Sequence, residues 1–301
     1  MKYGAIDIGT NAARLLVGEV VKENGHSFVR KISYTRIPLR LGLEVFEDGR
    51  ISSVKAQEFS KTMQAFKLIS EVFQVSGLRA CATSAMREAE NGKQIKRQIL
   101  EESGIEIDII DGEEEANIIF ATFFLLDFDK HSPFIVIDVG GGSTEISVFE
   151  KGERIDGKSF NVGTIRLLKG KTNKDVWKDI KSWIKEVVDE KMIHKVFATG
   201  GNINKIHKLL GKKHMEPLAS QELKDLYKNL DAMPLEDRVE RYQLKPDRAD
   251  VIVPACEIYN YVLSTLKANE VFVPKIGLSD GIVYDMHLKA IKRGKKKKKK
   301  K

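Results

Sequence analysis

The sequence predicts an α/β protein made of two similar lobes, and three observations carry that expectation. An apolar strand ending in Asp-x-Gly and returning as a second strand occurs twice, at Ala5–Thr10 and again at Val136–Gly141. Around both copies, short β-branched or apolar runs alternate with longer segments of helical periodicity. The chain has 301 residues and is 42% hydrophobic, enough for two cores. Repetition of one unit at long period implies duplicated, facing lobes with a ligand cleft between them.

The first half reads strand Tyr3–Ile8, turn Gly9–Asn11, strand Arg14–Val21, then strand Phe28–Ile37 after Asn24-Gly25. Val54, Phe59, Met63, Phe66, Ile69 and Phe73 recur at helical spacing, so residues 53–74 form an amphipathic helix. Leu78–Thr83 is a short buried strand, Arg87–Ser103 mostly helix, Ile105–Ile110 a strand and Glu113–Leu126 a helix. The second half repeats the plan: strand Phe134–Val139, the Gly140-Gly141-Gly142 turn, strand Thr144–Phe149, strand Arg154–Asn161 and helix Asp175–Met192. Strand Lys195–Ala198 then leads through Thr199-Gly200-Gly201 into a helix at Asn202. Polar helices near 220–231, an apolar-faced helix Asp247–Lys267, strand Glu270–Val273 and a Gly277–Gly281 loop before a last helix complete the chain. The expected division is 1–125 for the first lobe, 126–294 for the second and 295–301 for a solvated tail.

Of the formal net charge of +8, seven charges belong to Lys295–Lys301, leaving +1 for the rest. A run of like charges repels itself and stays solvated, so the expectation is a disordered solubilising tail and no specific nucleic-acid partner. Cys81 and Cys256 sit in apolar stretches without a CxxC or Cys/His neighbourhood, which points to two reduced thiols and a cytoplasmic protein. No HExxH or HxxxH pair supports zinc. No apolar run reaches the ~20 residues of a membrane helix, so no membrane partner is expected.

A tight Gly turn at a strand end leaves several backbone N–H groups pointing into one concavity, a nest that binds phosphate. Gly9, Thr10, Asn11 and Arg14 form one candidate set; Gly140, Gly141, Gly142, Ser143 and Thr144 form the other. A carboxylate beside phosphate repels it unless a divalent cation sits between. Asp7 and Asp138 are therefore candidate Mg²⁺ partners through water. The simpler reading is a plain Asp-Gly hairpin, and the matched second copy argues against it. Gly200, Gly201 and Asn202 open a helix that could hold an anion or simply turn tightly. Ser84 and Arg87 mark another oxyanion candidate; the simpler reading is a Ser N-cap with a structural Arg. In Asp111–Ala116 three acids stabilise the first helical turn through the macrodipole, and one of Glu113, Glu114 and Glu115 could also activate a water.

These residues resemble the exopolyphosphatase/guanosine pentaphosphate phosphatase family. The resemblance runs in order through Ala5–Arg14, Ala82–Ala89, Asp111–Ala116, Ile137–Glu145, Val162–Leu167 and Arg248–Ile252. It implies a duplicated RNase H-like, actin-like ATPase fold with mixed sheets. It also implies release of terminal orthophosphate from inorganic polyphosphate or guanosine pentaphosphate, with Mg²⁺ or alternatively Mn²⁺, in a homodimer. On this resemblance Glu115 is the catalytic base, Glu114 an accompanying acid, and Asp138 and Glu145 support metal and water. Three departures stand out: Ala12 where the family has Ser, Ser279 where it has Arg, and no His-Asp dipeptide of an HD-type helical domain. Short polyphosphates or a nucleotide gain weight accordingly. Two other functions fit the same turns: an ATP-dependent kinase of the superfamily, and a non-catalytic polyphosphate or alarmone binder.

Overall fold

The computed structural model describes residues 1–23, 25–189, 191–192 and 194–298. The chain divides into two compact units, Met1–Asp127 joined by the segment from Ile276 onward, and Phe128–Lys275.

In the first unit the order is β1 (Tyr3–Ile8), β2 (Ala13–Glu23), β3 (His26–Ile37), α1 (Leu41–Asp48), α2 (Ser53–Val72), β4 (Leu78–Ala82), α3 (Ser84–Glu88), α4 (Gly92–Ser103), β5 (Ile107–Ile109) and α5 (Gly112–Ala121). The sheet runs β3-β2-β1-β4-β5; β1, β2 and β3 pair antiparallel, and β4 and β5 join parallel to β1. All of β1 is buried, as a central strand covered on both faces must be. Phe59, Met63 and Phe66 of α2 are fully buried, as the helical spacing predicts, and Ile69 and Phe73 are half-buried, whereas Val54 in the first turn is exposed.

The second unit contains β6 (Phe134–Val139), β7 (Thr144–Glu150), β8 (Glu153–Phe160), α6 (Thr164–Leu168), α7 (Val176–Val187), β9 (Lys195–Thr199), α8 (Gly201–Leu209), β10 (Leu218–Ala219), α9 (Ser220–Asp231), α10 (Leu235–Tyr242), α11 (Pro246–Ala249), α12 (Ile252–Thr265) and β11 (Glu270–Val271). Its main sheet, β8-β7-β6-β9, repeats the first four positions of the other sheet with the same directions. Ile137, Ile146, Val148 and Tyr259 lie in one buried cluster. The predicted duplication is thus a duplication of topology.

Five local expectations change. Residues 87–103 form two helices because both amide groups of Asn91 are used by the Ile51 backbone, at 3.0 and 2.8 Å, and the chain turns there. Residues 247–267 split into α11 and α12, with Pro254 in the first turn of α12, where its missing N–H costs nothing. The helix expected over Glu113–Leu126 is α5 followed by a 3₁₀ turn at Thr122–Leu125. Helix α1 stands where the sequence pattern marks no element; it follows Arg40 in a left-handed conformation (φ 54°), without a capping side chain.

The fifth concerns the C-terminus. Helix α13 (Leu278–Lys298) belongs to the first unit, not to a lobe spanning 126–294. It packs along α5, β1 and β2. Gly281 permits this: a Cβ there would lie 2.2 Å from the Ile118 carbonyl oxygen of α5. The expected unstructured tail also shifts, because the backbone stays helical through Lys298. Lysine is a good helix former, and cations suit a helix C-terminus. Lys299–Lys301, the rest of that tail, lie outside the described residues.

Candidate functional site

Each unit carries its candidate residues at the carboxyl ends of its parallel strands, where open α/β sheets bind ligands. In the first unit these ends hold the Gly9–Ala12 turn after β1, Thr83 and Ser84 after β4, and Asp111–Glu115 after β5. Hydrogen bonds hold the three segments together: the Thr83 amide donates to the Ile8 carbonyl (3.2 Å) and the Ile110 amide to the Ala82 carbonyl (3.0 Å). Ser84 is buried, and Arg87 donates to the Ile110 carbonyl at 2.8 Å, so Arg87 braces the loop after β5.

The first turn is closed by the Gly9 amide donating to the Ala12 carbonyl (3.1 Å). Behind it, the carbonyls of Thr10 and Asn11 accept from the amides of Gly42 and Arg40, both at 3.0 Å. In a planar trans peptide the carbonyl and the following N–H point in opposite directions. Tying back these two carbonyls therefore aims the amides of Asn11 and Ala12 away from α1. Asp7 accepts an ion-pair bond from Arg14 Nη1 at 2.7 Å across β1 and β2.

The second turn repeats the closure, with the Gly140 amide donating to the Ser143 carbonyl (2.9 Å). Its carbonyls are tied back more completely. Gly140 accepts from the Thr164 amide (3.0 Å), and Gly141 from the amides of Ile165 (2.8 Å) and Arg166 (3.2 Å). The Gly142 carbonyl accepts from Arg166 Nε at 2.8 Å. By the same peptide geometry, the amides of Gly141, Gly142 and Ser143 all face away from α6, as a phosphate nest requires. Gly163 allows the contact, since a Cβ there would lie 2.5 Å from the backbone of Gly141 and Gly142. The hydroxyl of Thr144 donates to the Val162 carbonyl (2.6 Å) and so fixes the same junction.

Asp138 and Glu145 face each other across β6 and β7. Thr199 donates its hydroxyl to Asp138 Oδ1 at 2.8 Å, and Ser159 donates to Glu145 Oε1 at 2.7 Å. Two carboxylates in directly opposed positions repel, and a cation between them removes that cost. Hydroxyl donors orient them as outer partners orient metal-bound carboxylates. The donor set is all oxygen and suits Mg²⁺ carrying several waters. Among the described residues no three Asp, Glu, His or Cys side chains converge on one ion position. Water and substrate oxygens would have to complete any shell.

The remaining expected residues are placed as follows. Asp111 caps α5, its carboxylate accepting from the Glu114 amide at 2.8 Å. Glu113 and Glu114 are exposed and Glu115 is half-buried in that first turn. Glu114 is held by Arg79 at 3.0 Å. Gly200 and Gly201 open α8, where Asn202 is buried and accepts from Arg248 at 3.4 Å. Ser279 is buried inside the start of α13. Sequence reasoning gave no role to Gly163, Arg166, Ser159 or Thr199. The Val-Gly-Thr-Ile-Arg run was visible, but its purpose needs the backbone contacts.

A bifunctional 3-dehydroquinate synthase/phosphatase of Fusobacterium nucleatum is 27% identical over 289 residues, which cover 86% of this chain and 42% of that protein. Exopolyphosphatase 1 of Mycobacterium tuberculosis is 31% identical over 147 residues, 49% of this chain and 42% of that one. The chain thus spans less than half of either relative. A Ppx/GppA family member from Aquifex aeolicus superposes with a TM-score of 0.75 at 24% identity, covering 96% of this chain and 98% of that one. An exopolyphosphatase from Cytophaga hutchinsonii does so at 0.80 and 24%, covering 95% and 97%. These likenesses establish the actin-like ATPase fold built from RNase H-like units. A profile of the Ppx/GppA phosphatase family matches residues 20–290, and the chain belongs to that family.

Proposed function

We propose that the protein is a phosphoanhydride hydrolase that releases terminal orthophosphate from inorganic polyphosphate, with guanosine pentaphosphate as the alternative substrate. The observation that carries this reading is the second turn, whose three amides are aimed one way by the ties of its carbonyls to Gly163–Arg166. Such a nest takes phosphoryl oxygens, and the opposed Asp138 and Glu145 are suited to the Mg²⁺ that accompanies them. Bound there, Mg²⁺ would neutralise charge on the phosphoryl oxygens. Glu115, half-buried in the first turn of α5, is the proposed base that takes a proton from the attacking water. Phosphoryl transfer asks for little beyond charge neutralisation, in-line positioning and that base. Exopolyphosphatase activity carried by family relatives supports the reading.

The test is orthophosphate release from short polyphosphate, long polyphosphate and guanosine pentaphosphate side by side, with Mg²⁺, Mn²⁺ and EDTA arms. Glu115→Gln is expected to lower kcat by about 10²–10⁴, the range for a positioned general base. Equal background rates for wild type and Glu115→Gln on every substrate would remove the hydrolase reading. Tight binding without turnover under all metals would select the binder.

A further inference from the structure

We infer that Arg79 is a positioning residue for the α5 catalytic turn and that, through it, the C-terminal helix α13 sets the rate of the reaction. The inference rests on the hydrolase reading for its catalytic half. Arg79 lies on β4 with only 18% of its side chain exposed, and all three of its guanidinium nitrogens are engaged by different elements. Nε donates to Asp108 of β5 at 3.0 Å. Nη2 donates to Glu114 of α5 at 3.0 Å. Nη1 donates to Asp285 of α13 at 3.1 Å. Asp285 is held in turn by Lys289 at 2.7 Å.

The placement explains the choice of residue. A lysine ammonium also carries three donors, but they radiate from one atom at the end of a flexible stem; the planar guanidinium spreads Nε, Nη1 and Nη2 in fixed directions, one to each carboxylate. Arg79 shares its sheet face with Cys81, two residues on, and Cys81 stands opposite Asp7 on one side and Asp108 on the other. The clamp therefore lies on the sheet row behind the first turn. Its bond to Glu114 fixes the side chain next to Glu115. The Asp111 cap fixes the backbone of the same turn, through its carboxylate to the Glu114 amide and its carbonyl to the Glu115 amide at 3.0 Å. Glu114 thus acts as a handle on the turn. Outer partners that orient catalytic groups typically matter by ~10–100-fold.

The experiment uses the full chain with Arg79→Met, Arg79→Lys, Glu114→Gln, Asp285→Asn and the double variant Arg79→Met/Glu114→Gln. Phosphate release from short polyphosphate with Mg²⁺ gives kcat and KM. Hydrogen exchange of the peptide covering Gly112–Ala121 gives the looseness of the turn. Arg79→Met and Glu114→Gln are each expected to lower kcat at least tenfold with KM within about twofold. The double variant should be no worse than the worse single, because both remove one link. Arg79→Lys should recover only part of kcat, and Asp285→Asn should lower it less than Glu114→Gln does. Exchange of α5 should quicken about tenfold while the unfolding midpoint of Glu114→Gln stays put. Should Arg79→Met not fold, Glu114→Gln and Asp285→Asn carry the test alone. Unchanged α5 exchange, or a kcat loss under twofold in Glu114→Gln, overturns the inference. Equal rates for wild type and Glu115→Gln would instead overturn the hydrolase reading, with the exchange data still deciding whether the clamp exists.

Discussion

The hairpin of the first unit sets Asp7 against Arg14, and the hairpin of the second sets Asp138 against Glu145, at the same step of the register. Backbone and turn closure are shared: Gly9 to Ala12 at 3.1 Å in one, Gly140 to Ser143 at 2.9 Å in the other. The charge at the facing position is reversed. In the first hairpin the carboxylate is neutralised from within, by Arg14 at 2.7 Å. In the second, like charges face each other, steadied by the Thr199 and Ser159 hydroxyls. One duplicated scaffold thus supplies a turn with its own countercharge and a turn whose facing position carries a second carboxylate. The lids differ too. The first turn is backed by two amides of the chain before and at α1, the second by Gly163–Arg166, including an arginine side chain.

The largest effect that would sharpen this comparison is expected from Gly163→Ala. Its φ is an ordinary extended −148°, so the damage comes from space alone: the added Cβ meets the Gly141 and Gly142 backbone. About 1–3 kcal/mol of stability should be lost, as for an overpacked core. kcat/KM for phosphate release should fall about 10²–10³-fold, as when preorganised oxyanion donors are lost. Near-normal activity would mean that the second nest is not the phosphate site.

Next comes Glu145→Gln, expected to lower kcat about 10–100-fold and to raise the Mg²⁺ concentration needed for half-maximal rate. Asp7→Asn should change the Mg²⁺ requirement far less, because its partner is an arginine. Equal shifts in both would dissolve the contrast.

Stability without metal should order the same two variants the other way. In EDTA, Asp7→Asn breaks a partly buried ion pair and is expected to cost about 1–3 kcal/mol in denaturant unfolding. Glu145→Gln relieves the like-charge opposition to Asp138 and keeps an acceptor for Ser159, so it should cost less than Asp7→Asn and stay within about 1 kcal/mol of wild type. A loss with Glu145→Gln as large as that with Asp7→Asn would show that the two facing pairs are balanced alike.

The smallest effect separates the two units by their thiols. Burial pushes Cys81 of the first unit up to about 12, and Cys256 of the second likewise to about 12. Both thiols are neutral and inaccessible at pH 8, so neither should be alkylated until its own unit opens. Because the folded-state values are raised, this contribution to stability is complete below the unfolded thiol value of 9.0 and fades as pH climbs toward 12. Alkylation of Cys81 before Cys256 in mild denaturant would rank the first unit as the weaker; rapid labelling of either in native buffer would contradict its burial.

Much of this architecture was legible in the residues. The strand–Asp-x-Gly–strand repeat is local: a β-run, a tight turn and a returning strand need no distant partner to declare themselves. The same locality made the Gly turns, the acidic first turn of α5 and the buried face of α2 readable. The reversed facing charge was present as Arg14 and Glu145 seven residues after each Asp. It acquired meaning only once the register placed each directly across from its Asp.

What the sequence determined by itself was the duplicated topology, the two turns and the family to which their motifs point. Tertiary structure decided the rest. It returned α13 to the first unit, because Gly281 lets that helix lie against the Ile118 carbonyl. It broke the helix near Asn91 through a contact with Ile51, forty residues away. It tied the carbonyls of the second turn to Gly163–Arg166, and it gathered Asp108, Glu114 and Asp285 on Arg79. Each of these joins residues far apart in the chain. Pattern and propensity see only near neighbours, so the long-range contacts that aim amides and carboxylates appear only in the folded chain.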